Sequence, residues 1–166
     1  MPATLQILNR RIQIWPLIIA ILICESAGII GSIFTAQSVN SWYQQLNKPG
    51  FTPPNWLFGP VWTTLYLLMG ISVYLVWEKR KFAKSTRTAM VLFFIQLMLN
   101  SLWSFTFFGM QAPLIGLINI LLIVIFIALT MTWFYRISKP AFLLLIPYLL
   151  WVLYATALNY AIFQLN

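Results

Sequence analysis

The chain has 166 residues, 61% hydrophobic and 7% charged, with ten basic and two acidic side chains, a net charge of +8 and no histidine. A soluble domain is about 25% charged, so this chain cannot cover its surface with polar groups and its medium is lipid. One cysteine, two glutamates and no aspartate exclude an internal disulfide, a His/Cys metal site and a Ser-His-Asp triad.

Five segments, roughly 13–35, 58–78, 89–109, 113–135 and 141–163, are long and apolar enough to cross a hydrocarbon core of about 30 Å. None shows the alternation of a barrel strand. The predicted fold is all-α: an integral membrane bundle of five transmembrane helices, forming a single domain over residues 1–166.

The first span follows Arg10 and Arg11. It is longer than the apolar core of a signal peptide and contains Glu25, so a retained helix is expected. No span offers Glu25 a basic partner, so a neutral, hydrogen-bonded carboxyl is expected there, a ligand or ion contact and a helix-contact role being the alternatives. Ala27 and Gly31, and likewise Gly28 and Ser32, set small residues four apart for close helix approach.

The connector at 37–57 is the one long link, and it contains most of "NKPGFTPPNWLFGPVW" at 47–62. Its prolines forbid a single helix, while its aromatics set it apart from a solvated linker. We expect an ordered lid across one end of the bundle. Pro60 is expected in the first turn of the second span, with Trp62 one turn further in.

Trp62, Tyr66 and Met69 share a face of the second span. Gln96, Asn100, Trp103, Ser104 and Phe107 do so in the third, and Tyr148, Trp151, Ala155 and Asn159 in the fifth. Side-chain amides facing lipid are costly, so Asn100 and Asn159 point inward. Two readings stand. The amides join helices and the aromatics fill a core or an interfacial belt. Alternatively, the tryptophans of three spans line one cavity whose apolar walls carry a few polar groups, with Trp62 and Trp151 flanking one bound ring. The short turns at 109–113 and 136–140 make the last three spans successive antiparallel neighbours.

Arg10, Arg11, Lys79, Arg80, Lys81, Lys84, Arg87, Arg136 and Lys139 fall on one side of a five-span topology, against Lys48 on the other. The positive-inside rule then predicts a cytoplasmic N-terminus and an external C-terminus. Membrane orientation accounts for the charge better than nucleic-acid binding, for which no basic folded face exists.

"WYQQLNKPGFTPPNWLFGPVWTTLYLLMG" at 42–70 resembles the signature of the translocator protein family, also called tryptophan-rich sensory proteins or peripheral-type benzodiazepine receptors. "LNSLWSFTFFG" at 99–109 and "PYLLWVLYATALNY" at 147–160 match its third and fifth helices. The resemblance implies a homodimer in a prokaryotic cell membrane. The ligand it implies is protoporphyrin or another hydrophobic aromatic molecule, bound beneath the first loop, with no required cofactor and no metal. Carried over residue by residue, the pocket positions are Tyr43, Trp62, Tyr66, Asn100, Trp103, Ser104, Trp151 and Ala155. No basic residue follows Tyr160, so the sterol-contact pattern of animal members is missing.

Three functions fit. The leading one is a tetrapyrrole receptor, sensor or transporter. The second is an enzyme degrading porphyrin in light through Trp62 and Trp151, and the third is a membrane scaffold. The partners expected are a hydrophobic small molecule, the lipid bilayer and a second copy, with no nucleic acid.

Overall fold

The computed structural model describes residues 13–80 and 85–166. Arg10, Arg11, Lys81 and Lys84, which enter the charge argument above, lie outside the described residues. Five helices are long and apolar enough to span a membrane: α1 (Ile14–Ser38), α3 (Asn55–Glu78), α4 (Thr86–Ser104, prolonged by a π-helical turn Phe105–Gly109), α5 (Pro113–Ile137) and α6 (Lys139–Leu165). A single helical turn, α2 (Trp42–Gln45), interrupts the long connector. The chain is all-α, and it spans the bilayer as an integral membrane bundle.

The helices form a closed ring in the order α1, α3, α6, α5, α4, back to α1. The last three spans are sequential neighbours because their turns are short. Pro113 and Pro140 occupy early helical positions, where a missing N–H costs nothing.

Two glycines set the α1–α3 approach. A Cβ on Gly70 would lie 2.6 Å from the Ile21 Cα, and one on Gly28 would run into the Tyr66 ring. Against α4, the Ser101 hydroxyl donates to the Ala27 carbonyl at 3.0 Å. Small residues thus let backbones meet where the apolar effect, absent between helices in lipid, cannot drive them.

α3 begins three residues earlier than expected. Pro54, extended at φ −62° and ψ 143°, is its N-cap, and Pro60 lies inside the helix rather than in its first turn. Pro53 and Pro54 stop the helix from extending backwards. Pro60 then leaves the Trp56 carbonyl without its helical donor. Trp56 is 71% exposed, which keeps that carbonyl near the polar end of the span.

The connector is fixed at both ends of its path. Ser38 Oγ donates to the Phe108 carbonyl at 2.7 Å. Asn47 N–H donates to Asn166 Oδ1 at 2.9 Å, and Asn166 Nδ2 returns a bond to the Asn47 carbonyl at 3.0 Å. The Tyr154 hydroxyl donates to the Phe51 carbonyl at 2.6 Å. This crossing, the loop end of the bundle, lies opposite the basic end, where α3 gives way to α4 and α5 to α6.

Candidate functional site

A cavity of about 490 Å³ lies at the loop end between α1, α3 and α4. From α3 it takes Asn55, Trp56, Phe58, Gly59, Trp62, Thr63 and Tyr66. Asn100, Trp103, Ser104 and Phe108 come from α4 and its π turn, and the connector adds Val39, Asn40 and Tyr43. The π turn matters because one extra residue per turn rotates Phe107 and Phe108 onto the packed side of the ring.

Its walls are aromatic and ordered by one another. Trp62 stacks on Tyr66 with ring centroids 5.6 Å apart and planes inclined at 28°. Trp103 stacks on Phe107 at 5.3 Å and 21°. Tyr43 is buried against Phe107 and Phe108, with Lys48 Nζ 4.6 Å from its ring centroid. Burial, aided by nearby Tyr154, pushes the Tyr43 phenol up to about 12, so it stays a neutral group at physiological pH.

Behind these rings runs a line of buried hydrogen bonds. The Tyr66 hydroxyl donates to Asn100 Oδ1, Asn100 Nδ2 donates to the Tyr148 hydroxyl at 3.0 Å, and that hydroxyl donates to Gln96 Oε1 at 2.7 Å. It joins α3, α4 and α6 and uses up the polar atoms of Asn100 most suited to a ligand. Trp103 Nε1 donates to Asn159 Oδ1 at 3.1 Å, and Asn159 Nδ2 to the Pro113 carbonyl at 2.8 Å. The amides therefore join helices, while two of the rings they fix, Tyr66 and Trp103, line the cavity.

Six of the eight positions singled out in the sequence, Tyr43, Trp62, Tyr66, Asn100, Trp103 and Ser104, line this cavity. Trp151 and Ala155 do not. Trp151 packs edge-on against Phe58 at 6.1 Å and beside Tyr154 at 5.5 Å, and Ala155 is buried in α6. No residue of α6 lines the cavity, which lies between α1, α3 and α4. Trp62 nonetheless reaches α6, its ring edge-on to Tyr148 at 6.4 Å, and Trp151 meets Phe58, which itself lines the cavity, so Trp151 stands one side chain behind the cavity wall.

α1 supplies what the sequence reading left out. Glu25, Gly28, Ile29, Ser32 and Thr35 form the remaining wall. A signal was present: Glu25, Gly28, Ser32 and Thr35 fall on one helical stripe in an otherwise aliphatic span. Small spacing alone was read as helix contact. Both roles coexist, since Gly28 touches Tyr66 at the cavity floor and the helices diverge beyond it.

Among the described residues no group of three His, Cys, Asp or Glu side chains is placed to hold a metal. Of the polar residues around the connector, Asn40 and Asn55 line the cavity. Lys48 instead donates to the Tyr43 carbonyl at 2.9 Å, and Asn47 is tied to Asn166.

A five-span bundle with an aromatic side cavity under its first connector defines a class of small polytopic membrane proteins. The chain belongs to the TspO/MBR family, whose profile matches residues 20–165. It is 52% identical to the tryptophan-rich protein TspO of Archaeoglobus fulgidus over 93% of this chain and 99% of that one. It is 49% identical to the protein of the same name from Chlorobaculum tepidum, covering 93% and 98%. The human translocator protein is 39% identical over 82% of each chain.

Proposed function

We propose that the cavity receives a flat, hydrophobic aromatic ligand of the tetrapyrrole class, protoporphyrin being the expected one, and that the protein acts as its receptor, sensor or transporter. The stacked Trp62–Tyr66 pair carries this reading: it presents a broad, rigid π surface to a space bordered by Trp103 and Tyr43. Pockets of about 300–1,000 Å³ with apolar walls and few polar groups suit ligands of that size, and ring-on-ring contact adds about 0.5–1.5 kcal/mol beyond area burial. In this reading the connector is a lid. Its prolines and its clamps to Asn166 and Tyr154 reduce the entropy lost when it orders over a ligand. Asn40 and Asn55 then stand nearest the ligand's carboxylates.

The test is a titration of purified protein with protoporphyrin, in darkness and in light, with product analysis. Dark, saturable binding weakened by Trp62→Ala supports the reading, and binding unaffected by that change overturns it. Light-dependent product would favour the enzyme alternative. In that alternative Trp62 lines the cavity and Trp151 lies against the cavity-lining Phe58, so Trp62→Phe should reduce product formation more than Trp151→Phe.

A further inference from the structure

We infer that the basic end of the bundle holds a site for an anionic phospholipid, its phosphate at the start of α4 and its two acyl chains in grooves on either side of a ridge made by Trp77, Met90 and Phe94. Its headgroup position lies at the opposite end of the bundle from the cavity, and the site is independent of the ligand assigned there.

Three features converge on the headgroup position. Ser85, the N-cap of α4, makes no side-chain cap, so among the described residues the first amides of this helix have no side-chain cap acceptor. Such a terminus favours an anion through its N–H groups and its dipole. Thr86 is only 4% exposed, yet its Oγ1 finds no hydrogen-bond partner among the described residues. Arg87 and Arg80 border the same groove, and the Arg80 guanidinium lies 3.4 Å from the Trp77 ring centroid. Stacking holds that guanidinium flat, its Nη1 also donates to the Trp77 carbonyl at 3.2 Å, and its remaining N–H groups are left for a phosphate.

The apolar part has the right length and shape. One groove, of about 580 Å³, runs from Thr86 and Arg87 past Val91 to Met98, which is 74% exposed. Eleven residues of helix rise about 17 Å, against about 15 Å for half of a hydrocarbon core. A second groove, of about 290 Å³, lies on the other side of the ridge and is lined by Ile19, Ile23 and Val73. Trp77, Met90 and Phe94 belong to both. Two apolar grooves sharing one ridge, the larger bordered by Arg80 and Arg87, fit a diacyl lipid better than a detergent or a helix. The charge selects its headgroup: Glu78 is the one acid in the sequence near this end, among several lysines and arginines, so the added choline cation of a zwitterionic lipid gains nothing here.

The experiment is lipid retention by the full chain in a neutral detergent, read by native mass spectrometry with dioleoyl-phosphatidylglycerol, dioleoyl-phosphatidylcholine or inorganic phosphate added. We expect retention of the glycerol lipid about tenfold tighter than of the choline lipid, and none of inorganic phosphate. Arg80→Gln with Arg87→Gln should abolish the preference. Arg136→Gln with Lys139→Gln, removing equal charge elsewhere on the same end, should keep it. Val91→Trp, which fills a groove without touching charge, should lower retention even if the arginine variant fails to fold. Equal retention of both lipids by the unaltered protein overturns the site. So does a preference lost equally in both charge variants, which would indicate a diffuse basic surface, or full retention in Val91→Trp.

Discussion

The α1–α3–α4 corner and the α4–α5–α6 corner are built from similar residues, yet one is hollow and the other closed. Both mix tryptophan or phenylalanine with glycine and amides. At the closed corner, Gly116 lets α5 pack directly against Phe107, and Asn159 ties Trp103 to the α5 start. At the hollow corner, Gly70 and Gly28 hold α1 and α3 together only as far as Tyr66. Beyond that level α1 carries Ile29, Ser32 and Thr35 and offers no ring to fill the gap. Composition does not make the cavity. Where the close contacts stop along the helix axes does.

The largest effect should come from forcing the hollow corner apart at its closed base. Gly70→Ala places a methyl against the Ile21 backbone, which has no rotamer to yield. Overpacking of this kind costs about 1–3 kcal/mol, so the melting temperature in detergent should fall clearly. Gly59→Ala, on the same helix but with nothing within 4 Å, is the control. It should be neutral or stabilising by up to about 1 kcal/mol, as expected when alanine replaces glycine in a helix. Equal melting temperatures for the two variants would refute the contact-limited origin of the cavity.

Next in size is the closed corner's amide. Asn159→Leu strands the Trp103 indole N–H and the Pro113 carbonyl together. A buried donor left unpaired costs about 1–3 kcal/mol; in membranes, measured hydrogen bonds average less than expected, so the lower part of that range applies. Thermal unfolding measures the loss. Porphyrin affinity should fall too, because Trp103 is then free to leave its stacked position on Phe107. Stability and affinity that both match the unaltered protein would show the bond to be idle.

The contrast between the corners also marks what a sequence can and cannot reveal. Lipid forces backbone groups into helices and amides inward, so five spans and the inward faces of Asn100 and Asn159 were legible. Periodicity gives a residue's face but not the neighbour that face meets. Trp151 therefore looked equivalent to Trp62, although its indole meets Phe58, a cavity-lining residue, instead of lining the cavity itself. Pro60 misled for a related reason. A proline suits a first turn, but Pro53 and Pro54 had already fixed the start of α3, and the exposed end of the span tolerates one lost bond. The α1 wall was hidden because Gly28 and Ser32 serve equally well as helix contacts.

A smaller effect separates the two tryptophans directly. Trp62→Phe keeps an aromatic surface and should weaken porphyrin binding about three- to tenfold, within 1.4 kcal/mol. Trp151→Phe should leave affinity unchanged, since its indole meets Phe58 and Tyr154 rather than the cavity. Fluorescence titration of both variants in darkness decides it. A larger loss at Trp151 than at Trp62 would move the site to the α3–α6 side.

The smallest effect is expected at Glu25, the one ionisable acid in the cavity wall. An ionised carboxylate at mid-membrane is costly without a cationic partner, and the described part of the bundle places no lysine or arginine at that depth. A neutral carboxyl and a carboxamide have nearly the same shape, and each presents an acceptor oxygen beside a donor, one O–H in the acid and two N–H in the amide. Glu25→Gln should therefore fold, melt at an unchanged temperature and bind porphyrin within about twofold of the unaltered protein, well under 1.4 kcal/mol. Glu25→Leu separates shape from polarity: it keeps the wall apolar, and a loss seen there but not in Glu25→Gln assigns the side chain a hydrogen bond to the ligand. A loss of binding in Glu25→Gln itself, with the fold intact, would mean the charge is used, and the hollow corner would then need a cation inside it.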